Sequence, residues 1–456
     1  MGIRLSNSMK NVVKISSGQV VSILTLPFIT RIYGAEIMGI WTVIVSISGL
    51  MNTVTDLGLS QAIMIEEEDQ EKRTFAVVMS IAVAISVALS GIVWLYCRYV
   101  LGYAYQLAAV VVVFSFVYAL TLQTNQISYT WLNKRKNYSA LMKNPLINHC
   151  SMAVFAIGLG LAGFKKFGYF IGVTIGQIVT MIHMWQYIPK GMPRITFEDV
   201  KAVINRHMVF VKYQMPTNVT LQAREQVPNL LIGALFGNTM LGYFSISQKL
   251  LNIPVTFIGQ SLGKVFYQRM AEFRKQQVDP AQFISRNIMR AMKIALIPMI
   301  LLAAFGDAAI VMFFGQEYAI GGVVVRIVVF RTLFAFISTC TQGMDIVLEK
   351  QKYSMITCVV QTILLSAAIV LSFGLTESIY ACAVAMTVCF IVVQVIYFCA
   401  IYRTVGLNWW KYVRSVAVLL ASVLAASVVL RWLFVLLVQH TDFGLLEYLA
   451  GFLVMN

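Results

Sequence analysis

The stretch ITRIYGAEIMGIW (Ile29–Trp41) lies between two long apolar runs, and IGALFGNTMLGYF (Ile232–Phe244) repeats its pattern about 203 residues later. Each copy holds an aromatic residue, a glycine, and a second glycine five residues on: Tyr33, Gly34 and Gly39, then Phe236, Gly237 and Gly242. Glycine takes positive φ without strain and leaves room for a neighbouring backbone, so the pattern predicts a tight turn and close helix approach. A weaker third copy, FFGQEYAIGG (Phe313–Gly322), opens another apolar run.

The runs around these turns decide the fold class. Of 456 residues 59% are hydrophobic and 12% charged, with a mean hydropathy of +0.78, against roughly 45–50% apolar residues in soluble domains. Apolar segments near 12–32, 39–64, 75–97, 103–130, 139–163, 167–187, 208–235, 239–265, 291–313, 320–348, 353–373 and 378–401 read as twelve crossings. Each is long enough to traverse about 30 Å of hydrocarbon at about 1.5 Å per residue. A further run covers 411–438, and a short one 443–455. The chain is thus expected to be an all-α integral membrane protein of 12 to 14 transmembrane helices. The run after Arg4 and Lys10 is too long for a signal peptide and is followed at once by another crossing, so it counts as the first helix.

Net charge is +16, yet its placement argues against nucleic acid as a partner. With the N-terminus in the cytoplasm, about 21 Lys and Arg fall in cytoplasmic segments, and only Arg31, Arg98, Lys165, Lys166 and Arg431 lie outside, as the positive-inside rule requires. Of the loops, Glu66-Glu67-Glu68-Asp69 reads as a solvated charge run. Phe266–Arg290, which mixes aromatic and basic residues around Pro280, reads as interfacial short helices joining two lobes or touching lipid headgroups. The seven cysteines show no CxxC spacing and read as small apolar fillers. No HExxH, P-loop, GxSxG or GxGxxG context is present. No catalytic residue, metal site or cofactor is expected, and the chain is not read as an enzyme.

The repeat offset equals six helices, which predicts an N-lobe over 1–206, a C-lobe over 207–403 and appended helices over 404–456. After the first turn, Thr42, Ser46, Gly49, Thr53, Asp56 and Ser60 recur at i+3 or i+4, one face of a helix; after the second, Ser245, Lys249, Asn252, Thr256, Gly259 and Gly263 occupy the same positions. Matching stripes facing a shared interior are the layout of an alternating-access carrier built from parallel repeats.

PFITRIYGAEIMGIW with DLGLSQAI (Asp56–Ile63), LFGNTMLGYFSISQKLLNIP (Leu235–Pro254) and FFGQEYAIGG resemble, over essentially the whole chain, the Wzx-type polysaccharide flippases. These share a superfamily with the MATE exporters and the peptidoglycan-precursor flippases. The resemblance implies a V-shaped pair of six-helix lobes in the bacterial inner membrane. It implies movement of undecaprenyl-diphosphate-linked oligosaccharide for O-antigen or capsule biosynthesis, beside a polysaccharide polymerase and a chain-length regulator. The run 443–455 departs from the family in being too short for a full fourteenth crossing.

Ionisable residues at bilayer depth cost about 2.5–3.5 kcal/mol each on the translocon scale, so each is a functional candidate. Arg224, Lys249 and Arg331 fall near mid-span, and Arg31 and Arg326 nearer the outside; together they form the candidate diphosphate site, since guanidinium forks match phosphate oxygens. Asp56, Glu225 and Asp345 are the candidates for carrying a coupling proton or sodium ion, with Asp56 equally readable as an acceptor at a helix junction. Glu225, adjacent to Arg224, is expected to point elsewhere, and Asp307 to be solvated near a helix end. The alternatives are a MATE-like exporter of cationic drugs, which prefers carboxylates at mid-depth, and a membrane-embedded glycosyl or acyl transferase, which needs clustered acids or histidines near a membrane face.

Overall fold

A computed structural model describes residues 7–188 and 191–439, with side chains over 18–188 and 191–436. The predicted short run 443–455 lies outside them. The described residues are helical throughout: α1 Asn7–Thr55, α2 Glu71–Leu95, α3 Tyr105–Lys134, α4 Tyr138–Leu161, α5 Gly168–Trp185, α6 Phe197–Arg206 and α7 Met215–Pro254. There follow α8 Gln260–Lys275, α9 Ala281–Phe314, α10 Ala319–Cys340, the short α11 Met344–Val347, α12 Gln351–Thr376, α13 Ile379–Thr404 and α14 Trp409–Gln439. Ten stretches among them are long and apolar enough to cross a membrane, and the chain is a multi-pass membrane protein.

α1 and α7 are each two rods. Gly34 breaks the first with φ 73°, ψ 173°, and Gly237 breaks the second with φ 85°, ψ 171°. The third copy does the same at Gly315, φ 101°, ψ 166°, between α9 and α10. This region of backbone space is open essentially to glycine alone, so the three echoes encode one conformation. The contacts show what it does at Gly34. Before it, α1 runs alongside α4, with Gly18 on Pro145 and Tyr33 on Gly160. After it, α1 follows α3, from Ser48 on Ser115 to Thr55 on Gln123. Since α3 and α4 are antiparallel neighbours joined by a three-residue turn, the chain reverses at Gly34.

By contacts the chain divides into two compact units, 1–242 and 243–456. In the first, Trp41 packs on Tyr118, Tyr169 and Phe170 at ring separations of 5.1–5.7 Å, and Tyr33 donates to the Ala156 carbonyl at 2.6 Å. The second glycines of the two echoes meet within this unit. A Cβ on Gly39 would stand 1.8 Å from the Asn238 carbonyl oxygen, and one on Gly242 would stand 2.0 Å from that of Ala35. The motif is written twice because its two copies cross each other, backbone on backbone.

In the second unit, the rod after Gly237 runs beside α10, with Ser247 donating to the Gly321 carbonyl at 2.7 Å and Gly259 and Gly263 against Thr339. Two predicted boundaries change. The crossing expected to run to 64 ends at Thr55, followed by a 3-10 turn over Leu59–Met64. The segment Phe266–Arg290 holds no separate interfacial helices; it is the end of α8 and the start of α9, with Pro280 just before the first helical residue.

Candidate functional site

The polar stripe of the first repeat is satisfied from within its own unit. Ser46 accepts from Asn229 at 3.4 Å, Gly49 lies against the Gln226 side chain, and Thr53 donates to the Gly49 carbonyl at 2.8 Å. Asp56 is buried where the α1 helix ends, and its two carboxylate oxygens accept from the backbone N–H groups of Gly58 (3.0 Å) and Ser60 (3.1 Å). Of its two expected roles, the geometry supports the acceptor at a helix junction.

The matching stripe of the second repeat divides. Lys249 and Asn252 are exposed, whereas Gly259 and Gly263 are buried in the packing with α10. A π-helical turn over Val255–Gly259 separates the two sets. One extra residue per turn there rotates everything beyond it by about 100°, which is why six positions at helical spacing do not form one face.

Among the described residues no carboxylate lies within ion-pair distance of Lys249, which is exposed partway along a rod that is otherwise uncharged as far as Pro254. Arg331, half-buried on α10, stacks its guanidinium over the Phe390 ring of α13 at 4.9 Å. Along the rod's contacts with α10, Lys249 lies two residues past Ser247, which meets Gly321, and Arg331 lies ten residues past Gly321 and eight before Thr339, which meets Gly259.

Arg224, Arg326 and Arg431 have carboxylates. Arg224 binds Glu225 through Nε (3.2 Å) and Nη2 (2.8 Å), both to Oε1. This corrects the expectation that Glu225 points elsewhere; a long guanidinium arm can fold across to the next residue on the helix surface. Arg326 reaches Asp307 at 3.4 Å, and Arg431 reaches the same Oδ2 at 2.7 Å. Asp307 is fully buried, not solvated, because α14 covers it and brings Arg431. Arg31 is exposed three residues before Gly34. Asp345 is half-exposed in α11, beyond the end of α10, so it and Arg331 do not share a helix.

A second buried network lies in the first unit. Glu66 accepts from His207 (2.6 Å), Thr74 (2.8 Å) and Arg206 (3.0 Å), while Glu71 pairs with Lys134 (2.5 Å) and Arg135 (2.6 Å). Burial pushes the Glu66 carboxyl up, but the hydrogen bonds from His207, Thr74 and Arg206 outweigh it and hold it below the ordinary carboxylate range. Of the run Glu66-Glu67-Glu68-Asp69, only the last three residues are solvated. Sequence distance hid this, since Arg206 and His207 are contributed by the C-terminal end of α6, about 140 residues later in the chain.

Comparison with known proteins supplies the missing context. Residues 28–320, more than half of the chain, match the model of a family described as "Polysaccharide biosynthesis protein". The chain belongs to this polysaccharide biosynthesis protein family. A relative is the succinoglycan biosynthesis transport protein ExoT of Rhizobium meliloti (strain 1021), 20% identical over 65% of this chain and 59% of its own length. The chain thus matches about three fifths of that relative. Among solved structures the fold is similar to the lipid II flippase MurJ in an inward closed conformation, with TM-score 0.72, 12% identity, and coverage of 97% of this chain and 96% of that one. It is also similar to a multidrug resistance MATE family transporter in an inward-facing conformation, with TM-score 0.59, 13% identity, and coverage of 91% and 97%. This polysaccharide biosynthesis family member therefore has the MurJ/MATE transporter fold, and the match spans the first two glycine turns and reaches just past the third.

Proposed function

We propose that the protein flips undecaprenyl-diphosphate-linked oligosaccharide repeat units across the bacterial cytoplasmic membrane, N-terminus inside, for O-antigen or capsule biosynthesis. It is read as a carrier rather than an enzyme, exposing its cations first to one side and then to the other. Lys249 carries the reading: a mid-helix ammonium with no carboxylate nearby suits the diphosphate of a lipid head whose tails stay in the bilayer. Arg331 is the second candidate, its guanidinium held flat against Phe390, a planar fork of the kind that matches phosphate oxygens. Arg224 and Arg326 contribute less, since Glu225 and Asp307 already occupy them, and Arg31 serves at most as a mouth residue.

An inside-negative potential of 100 mV favours outward movement of each negative charge by about 2.3 kcal/mol and draws an empty cationic site back. Potential can thus assist both half-cycles. Glu225 and Asp345 remain the carriers of the competing scheme, proton or sodium antiport. The MATE-like alternative calls for carboxylates where Lys249 and Arg331 stand.

The test is flipping of a lipid-linked oligosaccharide in proteoliposomes. Lys249→Ala and Arg331→Ala are expected to lower the initial rate about tenfold or more each, with folding intact; normal rates from both variants would remove these residues from the site. Collapsing the potential slows the wild type under the potential scheme, and an imposed ion gradient at clamped potential rescues it only under antiport. In cells, deletion is expected to accumulate full-length lipid-linked units; truncated units would indicate a transferase instead.

A further inference from the structure

The segment that mixes aromatic and basic residues, Phe266–Arg290, has a role apart from joining helices. The facing ends of α8 and α9 enclose a cavity of about 420 Å³, backed by Cys340 of α10, a size within the ordinary range of ligand sites. Three phenylalanines form a ring cluster in its lining, Phe273 and Phe283 near the α8–α9 turn and Phe266 deeper on α8. Phe266 stacks on Phe283 with ring centroids 5.5 Å apart and planes 8° apart, and Phe273 packs on Phe283 at 5.0 Å.

Arg269 and Arg290 line the same cavity from opposite walls. Arg269 stands six residues before the end of α8 and Arg290 nine residues into α9, so both lie about 9–14 Å from the turn. Four residues deeper on each helix come Val265 and Ile294, both exposed. Beside the ring cluster the cavity therefore presents two guanidinium groups and, one helical turn deeper, an open apolar wall. Charge followed by an apolar wall is the order of phosphate and acyl chain in an amphiphile standing in a bilayer. Among the described residues the one acid within ion-pair distance of either guanidinium is Glu272, 3.7 Å from Arg269. Around them, 264–293 carries seven Lys and Arg against two acids, and basic pockets between helices at a membrane face bind anionic lipid heads.

We propose that this cavity binds an anionic glycerophospholipid of the leaflet it faces, its phosphate between Arg269 and Arg290 and one acyl chain along Val265 and Ile294. The site lies within the second unit and is independent of the carrier reading; it is a resident-lipid site, distinct from Lys249. A lipid bridging α8 and α9 here ties together the two walls of the cavity, beside the contacts between the phenylalanine rings.

The experiment is native mass spectrometry of the full chain in detergent, titrated with phosphatidylglycerol and, separately, with phosphatidylcholine. Phosphatidylglycerol is expected to bind at one saturable site. Arg290→Ala and Arg269→Ala should each weaken it about tenfold, the loss of one charge-assisted contact. Ala291→Phe, which fills the cavity without changing charge, should weaken it comparably, whereas Lys264→Ala and Lys275→Ala on the same face should change it less than about threefold. Equal affinity for phosphatidylcholine, or equal loss from the two lysine variants, overturns the proposal in favour of unspecific lipid contact. Displacement by glycerol phosphate alone shows a phosphate site without a chain site and also overturns it. So does binding of a polyprenyl phosphate in place of phosphatidylglycerol, which would assign the cavity to the transported lipid. Should Ala291→Phe fail to fold, judged by its melting curve, the arginine variants and the two-lipid comparison decide.

Discussion

At Gly34 the chain turns with φ 73° and ψ 173°, at Gly237 with φ 85° and ψ 171°, and the rods that leave these turns then diverge. The first stays α-helical to Thr55, buries Ser46 and Ser48, and hands its last polar group, Asp56, to two backbone N–H donors. The second exposes Lys249 and Asn252 and breaks register in a π-helical turn over Val255–Gly259. The duplicated part is the backbone: a reversal and a glycine crossing. The unduplicated part is the chemistry. One copy has become scaffold, with its polar groups consumed internally, and the other keeps a cation in reserve. π-helical turns often occur at functional sites because they re-aim side chains at the cost of one hydrogen-bond register.

The shared part is expected to break most severely. On Gly39 an added Cβ meets backbone 1.8 Å away, with no flexible side chain to yield. Gly39→Val or Gly242→Val should prevent recovery of monodisperse protein, the upper extreme of overpacking. The milder pair Gly39→Ala and Gly242→Ala each force the same crossing apart, so the double variant should cost less than the sum of the singles in detergent melting experiments. Additive costs would mean that the two contacts are separate features.

Exchanging the unshared residues comes next. Ser46 and Lys249 are equivalent positions, yet Ser46 is fully buried against its own unit and Lys249 is not. Ser46→Lys should destabilise by about 3–5 kcal/mol, as for an uncompensated buried charge. Lys249→Ser should leave the melting temperature nearly unchanged and remove transport. Similar stability losses from both would erase the distinction between scaffold and site.

Gly34→Ala and Gly237→Ala test the turn itself. Each forces a Cβ into a region open essentially to glycine, at about 1–3 kcal/mol. At Gly237 a Cβ meets nothing within 4 Å, so the cost there is conformational alone. The two losses should agree within about 1 kcal/mol if the turns are equivalent; a much larger loss at Gly34 would show that packing dominates there.

The turns were legible in the sequence because a glycine-only conformation leaves a glycine, and three copies leave three. The helices were legible for a similar reason: hydrocarbon demands apolar length, and length shows in one dimension. What the sequence hid were partnerships between distant residues. Asp307 looks like an acid near a helix end until α14 carries Arg431 onto it. Glu66 looks like the first of four solvated acids until the chain returns at His207. Spacing also misled at Gly259 and Gly263, where helical arithmetic assumes an unbroken helix and the π-helical turn resets the count. Lys249 and Arg331 stood out from the start, since a cation inside an apolar run is conspicuous whatever surrounds it.

The smallest effect is expected at Glu66, and it separates the structural charges of the first unit from the functional ones of the second. Its carboxyl is held below the ordinary value of 4.5 in the folded protein. A depressed folded pKa contributes stability that is fully present above the unfolded pKa and lost as pH falls through the folded one. Melting temperature should therefore be insensitive to this group from pH 7 down to about 5 and then fall below pH 4.5. Glu66→Gln keeps the shape but replaces charge-assisted hydrogen bonds with neutral ones, at a cost of about 1 kcal/mol at pH 7. The variant's melting temperature should approach that of the wild type as both are taken to acid, because protonation abolishes the difference. Transport by Glu66→Gln at pH 7 should remain near normal, in contrast to Lys249→Ser. If instead Glu66→Gln melts like the wild type at pH 7 and loses transport, the buried acid of the first unit belongs to the transport cycle, and the division between a spent copy and an active one fails.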